Sequence, residues 1–293
     1  MAERKKIVEI AKLLGFPEEA IAYLSEYYGK IAGNEDLLTR LETTTALFVY
    51  TDTLNYKQPL EEIAERIDVS RYTVDMIMLL LTVELVRARY RERGIDDEVC
   101  IATMTDLKYK LLECKRVYGV WGCFVTWWFR NHVSLRLFAL GRLQYEPIAF
   151  PFDAYKGILK KGDKVYSCHV PASGALTEES VYDSFEYAYR FFGCKGVLPI
   201  YCSSWLIYPL HAELYKEGSN LKRFYQMFDI IGERSDEKMN NFWRIFDVPY
   251  SPEALEKAPE NTALQRAFKK YFAEGGTMGD GQGVILFDGK KII

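Results

Sequence analysis

The sequence contains few of the residues that bind metals or form disulfide frameworks. It has three histidines in 293 residues, and its six cysteines are scattered without a Cys-x-x-Cys pair. A zinc site or a small disulfide-linked domain requires closely spaced Cys and His residues. We therefore expect no metal site, and reduced thiols of the kind found in a cytoplasmic protein.

Long hydrophobic runs and an excess of positive charge are also missing. The longest apolar run, Met76 to Val86, includes Thr82 and Glu84 and is shorter than the ~20 residues that a membrane span needs. The first residues lead into an amphipathic helical pattern rather than the apolar core of a signal peptide. The net charge of −3 provides no basic field for nucleic acid or anionic lipid. These features predict a cytoplasmic protein with no membrane or nucleic-acid partner.

What the chain does contain is typical of a globular protein with a large core. Hydrophobic residues make up 49% and charged residues 27% of the sequence. Aromatic residues are abundant, with 21 Tyr, 17 Phe and 5 Trp. Such a composition suits thick cores or a groove for an organic ligand. The length fits one large domain or two of ordinary size.

The hydrophobic period changes near Val133, and this change predicts two domains. Residues 1–132 repeat apolar positions at helical spacing, whereas the segment from Val133 to Glu146 alternates with period two. We predict an α+β protein with a helical domain over 1–132 and a mixed α/β domain over 133–293. Particular expectations are helices over 35–54, 121–132, 178–192, 206–231 and 262–273, and strands over 164–170, 197–202, 242–248 and 283–293.

Residues 60–81 resemble a helix-turn-helix, which would indicate DNA binding. Two features oppose that interpretation. Asp68 occupies the turn position usually taken by glycine, and the second helix runs into six consecutive apolar residues, 76–81. A helix that is apolar on every face is buried rather than laid in a groove. We interpret the segment as a structural helical corner.

The stretch Val165 to Phe192 combines a strand, a loop of small residues and an amphipathic helix. This order directs a helix N-terminus and several backbone N–H groups toward whatever lies beyond the strand, a place suited to phosphate or pyrophosphate. The candidate binding residues are Val170, Ser173, Gly174, Ala175, Leu176 and Thr177. Thr177 is expected to cap the helix. A plain strand-to-helix turn has the same composition, so the motif alone leaves both interpretations open.

Two ionisable side chains nearby are candidates for proton transfer. His169 ends the strand directly before the loop, and Glu146 shares a strand face with Arg142 and Gln144. A strand histidine can equally be structural, and the face of Glu146 can equally be solvated. If that face lines a cleft, Glu146 is positioned as a general base. Cys202, Ser203 and Ser204 lack a matched base, so we assign them to core packing.

With these elements placed, residues 133–293 resemble the acetyl-CoA-dependent N-acyltransferase (GNAT) fold. Strands, a pyrophosphate loop, a helix, a splayed parallel strand and a final strand pair follow in the family order. The whole chain resembles bacterial acyltransferase domain-containing proteins with a helical N-terminal domain. The phrases that carry this resemblance are Gly119–Gly122, Leu140–Glu146, His169–Pro171 with Gly174, Cys202–Leu206 and Ser219–Asn220.

The resemblance implies a reaction and a set of roles. An amine attacks the thioester of acetyl-CoA or another acyl-CoA, a backbone N–H near Val170 stabilises the oxyanion, and His169 or Glu146 removes the proton. Tyr215, on the helix after the splayed strand, would protonate the leaving thiolate. The chain departs from the usual loop, Gln/Arg-x-x-Gly-x-Gly/Ala, because Ala172–Ala175 has one glycine and no leading Arg or Gln.

Other functions remain open at this stage. One alternative is a GNAT-like protein that binds an acyl-CoA or another small ligand without turnover, and another is a transcription factor that uses 60–81. The acceptor is expected to be a small-molecule amine or a peptide. The helical domain is expected to shape the acceptor pocket or a homodimer interface.

Overall fold

The computed structural model describes residues 2–51 and 55–293. Within it the chain divides into two compact units, one up to Ala139 and one from Leu140. This division falls after the boundary at residue 132 that the sequence pattern suggests. Two contacts explain the difference: the Ala139 backbone N–H donates to Thr103 Oγ1 at 2.9 Å, and the Phe138 ring lies 5.9 Å from that of Tyr90. Residues 138 and 139 therefore pack with the helices.

The first unit is built from helices that surround one buried helix. The helices are α1 (Ala2–Leu13), α2 (Glu18–Ala32), α3 (Glu35–Tyr50), α4 (Lys57–Arg66), α5 (Arg71–Glu92), α6 (Asp97–Met104), α7 (Asp106–Tyr118) and α8 (Arg130–Val133), with a 3₁₀ turn over Thr126–Phe129 before α8. Every residue from Thr73 to Leu80 on α5 is buried. DNA binding by 60–81 would require the second helix of that segment to lie in a groove of DNA. That helix is instead buried in the core. The predicted end of α3 at residues 52–54 lies outside the described residues.

The helix predicted over 121–132 is mostly absent, and close packing explains why. Residues 119–125 are irregular, and regular structure begins only with the 3₁₀ turn at Thr126. Gly119 has φ 72°, and a Cβ on Gly122 would lie 2.5 Å from the carbonyl carbon of Tyr72. The Cys123 N–H donates to the Tyr72 carbonyl at 2.9 Å. This segment is bound to the start of α5 instead of forming its own helix.

The second unit is a mixed sheet with helices. Strand β1 (Phe138–Leu140) spans the boundary between the two units. The strands within the second unit are β2 (Leu143–Ala149), β3 (Ala154–Tyr155), β4 (Leu159–Lys160), β5 (Lys164–His169), β6 (Leu198–Ser204), β7 (Asp229–Asp236) and β8 (Met278–Phe287). The main sheet has the order β1-β2-β5-β6-β8-β7, and β3 and β4 form a small hairpin. Its helices are α9 (Glu178–Phe191), α10 (Pro209–Ala212), α11 (Asn220–Gln226), α12 (Trp243–Phe246), α13 (Pro252–Glu256) and α14 (Ala263–Ala273), with a 3₁₀ turn over Trp205–Ile207.

Strands β5 and β6 are parallel and joined by α9, which is the crossover that parallel neighbours need. They pair at Tyr166–Ile200 and Ser167–Tyr201. Beyond these positions β5 continues to His169 and β6 continues to Ser204. Over that stretch β6 stays paired with β8, as far as Ser204 opposite Gly281. The backbone pairing of the two parallel strands therefore ends before their carboxyl ends, where open α/β sheets bind ligands.

Three predicted elements differ from the structure. In the alternating segment over 133–146, Val133 ends α8, residues 134–137 are irregular, and two strands follow, joined by a turn at Gly141 (φ 77°) and Arg142. The helix predicted over 206–231 is broken into the 3₁₀ turn, α10, α11 and the first residues of β7. Residues 242–248 contain the short helix α12 instead of a strand, since the Phe242 and Phe246 rings both pack against Phe272. Spacing of four residues suits a helix face better than a strand.

The last strand begins earlier than its hydrophobic pattern suggests. β8 runs over Met278–Phe287, and a turn at Gly289 (φ 97°) returns the chain to a bridge between Phe287 and Ile292. Its first half is glycine-rich because other backbone packs onto it. A Cβ on Gly281 would lie 1.9 Å from the Ile207 carbonyl oxygen. Glycine is depleted in ordinary strands, so the sequence pattern did not predict a strand over the first half of β8.

Candidate active site

His169 and Glu146, both predicted as site residues, form a hydrogen-bonded pair. The His169 Nε2 lies 3.1 Å from the Glu146 Oε1. Their side chains are 24% and 16% exposed, so both are largely covered yet reachable from solvent. Gln144 is opposite His169 and Glu146 is opposite Ser167 in the β2–β5 register. The pair is thus a diagonal contact between neighbouring antiparallel strands, which long side chains can span.

The pair lies on a polar part of one sheet face. Register places Glu146, Ser167 and Tyr201 in one row across β2, β5 and β6, and Gln282 of β8 lies opposite Ser203. The Tyr201 hydroxyl is within hydrogen-bonding reach of Ser203 and Gln282. Burial raises the pKa of Tyr201, and these two hydrogen bonds offset only part of the rise. Tyr201 therefore stays a neutral hydroxyl near neutral pH. The sequence analysis missed Tyr201 and Gln282, whose common face depends on strand order.

The opposite face of the same strands packs on α9. The Tyr145 hydroxyl lies 3.0 Å from Ser184 Oγ, and the Tyr166 ring lies 4.2 Å from that of Phe192. Val181, Phe185 and Ala188 of α9 are fully buried. This burial fixes α9 against the sheet, so its N-terminus is held at the carboxyl end of β5. The predicted amphipathic helix after the loop is confirmed.

The loop between β5 and α9 contains the predicted binding residues Val170, Ser173, Gly174, Ala175, Leu176 and Thr177. Gly174 has φ 116°, a conformation that favours glycine. Thr177 Oγ1 accepts from the Ser180 backbone N–H at 3.2 Å, which is the expected N-cap. Leu176 is buried beneath the loop, whereas 172–175 are exposed. Among residues 2–51 and 55–293, the N–H groups of Gly174, Ala175 and Leu176 have no carbonyl acceptor.

Such N–H groups at the start of a fourteen-residue helix form a place for an anion. Glu178 and Glu179 follow in the first turn and oppose a bound anion. Glu178 faces one compensating charge, because the Arg223 Nη1 lies 3.9 Å from its Oε2. Both side chains of that ion pair are about half exposed, so its contribution is small. The loop backbone thus carries most of the anion-binding capacity.

Models of protein families match both halves of the chain. The N-acyltransferase N-terminal domain matches residues 5–135, and the GNAT-like C-terminal domain matches residues 137–285. The chain belongs to the GNAT-like C-terminal domain family. The resemblance drawn from the sequence is confirmed, as is the predicted α+β class with a helical region before a GNAT-like domain.

Solved structures of acyltransferases share this family fold. An acyltransferase in complex with decanoyl-CoA and teicoplanin has a TM-score of 0.75 at 23% identity, over 95% of this chain and 87% of that chain. An acyltransferase mutant in complex with octanoyl-CoA has a TM-score of 0.75 at 22% identity, over 97% and 88%. An acyltransferase in complex with CoA and 10C-teicoplanin has a TM-score of 0.63 at 22% identity, over 96% and 98%. A comparison with curated proteins finds no match.

In this family member Tyr215 lies in an apolar cluster with Phe242, Phe246 and Phe268. It follows α10 in an irregular segment rather than on a long helix, and it is 5% exposed. Its hydroxyl donates to the Leu206 carbonyl at 3.2 Å, and its ring packs on Phe268. Burial raises the pKa of Tyr215. Its contacts in the described part of the chain are with that apolar cluster, so its role as a proton donor stays a prediction.

The described residues also bear on metal binding and on membrane insertion. Within residues 2–51 and 55–293, no group of three or more His, Cys, Asp or Glu side chains is arranged to hold a metal ion. The same residues include no helix with the length and apolar character that crossing a bilayer requires. Cys168 and Cys202, which lie on β5 and β6, are buried free thiols.

Proposed function

We propose that this chain transfers an acyl group from an acyl-CoA to an amine by direct attack of the amine on the thioester. The observation that carries the proposal is the end of the β5–β6 backbone pairing at Ser167 and Tyr201, beside the loop that opens α9. Membership of the GNAT-like family supports it. So do the acyl-CoA complexes of acyltransferases with the same fold.

The separated strands offer backbone groups to two parts of the substrate. The N–H groups of 174–176 at the start of α9 suit the pyrophosphate of CoA. Val170 follows the last residue of β5, and its N–H is our candidate for the oxyanion that forms as the amine adds to the carbonyl carbon. The C–N bond forms in that addition. When the oxyanion returns to a carbonyl, the C–S bond breaks and the CoA thiolate leaves.

The His169–Glu146 pair would remove the proton from the amine. If Nε2 of His169 carries the hydrogen that Glu146 accepts, the basic lone pair of the ring is on Nδ1. Glu146 then orients the imidazole and stabilises its cation, as the carboxylate does in other paired His–acid sites. In the opposite assignment Glu146 is the base. The variants His169→Ala and Glu146→Gln distinguish the two assignments.

We also propose which acyl chains and which acceptors this chain uses. Acyltransferases with this fold are seen with octanoyl-CoA, decanoyl-CoA and teicoplanin, so the acyl donors to test extend from acetyl to decanoyl. For the acceptor we propose a small-molecule amine or a peptide amine. The polar side chains of Ser203, Tyr201 and Gln282 lie on the same sheet face as His169. Their position supports a polar acceptor.

Calorimetry and a thiol-release assay test the proposal in two steps. We expect the protein to bind acetyl-, octanoyl- or decanoyl-CoA, and to release free CoA when a matching amine is added from a panel of primary amines and amino-terminal peptides. Lack of binding to every acyl-CoA contradicts the proposal. Binding without transfer to any amine favours the alternative, a protein that binds acyl-CoA without turnover.

A further inference from the structure

Arg142 holds the candidate pyrophosphate loop from the neighbouring β1–β2 turn. Its Nε donates to the Ala175 carbonyl at 3.0 Å, and its Nη2 donates to the Gly174 carbonyl at 2.9 Å. Its Nη1 donates to the Pro171 carbonyl at 2.9 Å and to Ser173 Oγ at 3.1 Å. One guanidinium thus binds three carbonyl groups and one hydroxyl within five consecutive residues.

These bonds decide the direction of the loop backbone. Peptide N–H and C=O groups point in opposite directions, so carbonyls that turn toward Arg142 leave the N–H groups of the adjoining peptides turned away from it. The Pro171, Gly174 and Ala175 carbonyls are followed by the N–H groups of residues 172, 175 and 176. The fork of the guanidinium fixes several acceptors at once, which a lysine ammonium does not do.

The turn that carries Arg142 is itself held by α9. Ser184 Oγ donates to the Leu140 carbonyl, accepts from the Leu143 N–H at 3.1 Å and lies 3.0 Å from the Tyr145 hydroxyl. Gly141 packs over Ser184 with φ 77°, and a Cβ there would lie 3.3 Å from the Ser184 Cα. Helix α9, the β1–β2 turn and the loop therefore form a closed set of contacts.

We propose that Arg142 is the positioning residue of this loop, and that it sets the affinity for a pyrophosphate group by orienting the loop N–H groups. It supplies from another turn what the loop lacks, since 172–175 has one glycine and no arginine or glutamine at its start. The four hydrogen bonds described above are made to the loop, so we assign its effect on the ligand to the loop. The inference rests on the proposed function, because it assumes that the loop faces the pyrophosphate of CoA.

The test compares two acyl donors that share the acylated pantetheine arm. Acyl-CoA adds the 3′-phospho-ADP portion, which includes the pyrophosphate, and acyl-pantetheine lacks all of it. We expect wild type to prefer acyl-CoA, and Arg142→Ala to weaken acyl-CoA binding at least about tenfold while the KM for acyl-pantetheine and kcat stay near wild type. Arg142→Lys should restore only part of the loss, because it returns the charge but not the fork. Arg190→Ala, an exposed arginine of α9 paired with Glu186, is the control.

Hydrogen exchange on the intact chain gives a readout that does not depend on activity. We expect amides 172–177 to exchange faster in Arg142→Ala, and no change over β7 and β8. If the variant keeps the wild-type preference for acyl-CoA, the inference is wrong. Equal losses with both donors also overturn it, because they indicate a general structural role. A wild type that uses acyl-pantetheine as well as acyl-CoA overturns the assignment of the loop while leaving acyl transfer standing.

Discussion

At the scale of single residues, the His169–Glu146 pair gives the most direct prediction. His169→Ala removes the base, so we expect kcat to fall by about 10²–10⁴ while the Kd for acyl-CoA stays near wild type. Glu146→Gln keeps a hydrogen-bond acceptor and loses the charge, so a smaller fall in kcat is expected if Glu146 orients His169. Steady-state kinetics with saturating amine and calorimetry with acyl-CoA measure the two quantities.

The relative size of these two effects identifies the base. A larger loss for Glu146→Gln than for His169→Ala assigns the base to Glu146. Full turnover in both variants shows that neither residue removes the proton. Glu186→Gln is the matched control, because Glu186 is a half-exposed carboxylate of α9 whose Oε2 lies 3.3 Å from Arg190 Nη1.

A second residue-scale prediction concerns Asp75, a buried carboxylate of α5 with Arg71 Nη1 at 3.4 Å. Burial raises the pKa of Asp75 to about 7, and the Arg71 charge offsets only part of the rise. The folded state therefore keeps a proton that the unfolded chain loses near pH 4, so this group lowers stability as pH rises toward 7. Asp75→Asn lacks this penalty.

We expect the stability of Asp75→Asn relative to wild type to increase by on the order of 2–4 kcal/mol between pH 4 and pH 8. Urea unfolding followed by circular dichroism at several pH values measures it. Glu42→Gln, at an exposed position of α3, should show no such trend. A constant difference between Asp75→Asn and wild type across this range would contradict the raised pKa.

Asp106 shows the opposite electrostatic case in the same unit. Burial alone would raise the pKa of Asp106, yet Lys110, His132 and Trp128 together hold it below its usual value. The Trp128 Nε1 donates to Asp106 Oδ2 at 2.7 Å, and the His132 Nε2 lies 3.3 Å from the same oxygen. Asp106 thus contributes stability above pH 4 that is lost as pH falls, whereas Asp75 does the reverse.

At the scale of elements, the sequence was most informative where one periodicity continued over a whole segment. Helix α9 and strand β5 were predicted closely because Val181, Phe185 and Ala188 repeat at helical spacing after an apolar strand. The break at Gly141 was missed because Leu137, Ala139, Leu143 and Tyr145 continue the period of two across the turn. The first half of β8 was missed because Gly279 and Gly281 carry no side chain to show a period.

The candidate site divides in the same way. The sequence could predict that His169, Glu146 and the loop 170–177 lie near one another, because each is close in sequence to the end of β5 or lies on a strand beside it; their roles stay predictions. Tyr201 and Gln282 were missed, since only the order β5-β6-β8 brings them to the same face. The contacts of Arg142 were also missed, because a solvated strand face and a loop-binding turn have the same local composition.

The close packing on β8 leads to an element-scale prediction. A Cβ on Gly281 would lie 1.9 Å from the Ile207 carbonyl oxygen, and both partners are backbone. We expect Gly281→Ala to lower the free energy of unfolding by about 2–4 kcal/mol, because the turn over Trp205–Ile207 must move from β8. Gly196→Ala is the control, since a Cβ there meets nothing within 4 Å. Urea unfolding that gives the same stability for both variants would contradict the prediction.

At the scale of the whole molecule, the chain combines a helical unit whose core includes buried charge with a sheet unit whose charged pair is accessible. Asp75 and Asp106 are 0% and 1% exposed, whereas Glu146 and His169 remain partly exposed on a sheet face. Paired charges in a core stabilise one packing arrangement, whereas partly covered pairs beside a cleft suit proton transfer. The acyl-transfer chemistry is therefore expected in the second unit.

Binding of an acyl-CoA to the intact protein should slow hydrogen exchange in the second unit more than in the first. A ligand at one hundred times its Kd stabilises the state that binds it by about 2.7 kcal/mol. We expect saturating decanoyl-CoA to slow hydrogen exchange most over residues 166–177 and 198–204, where β5 and β6 separate and the loop enters α9. Free CoA should slow exchange in the loop, but over fewer residues of β6 than decanoyl-CoA does. Protection confined to α1, α2 and α3 would contradict the assignment of the acyl-CoA site to the separated strands.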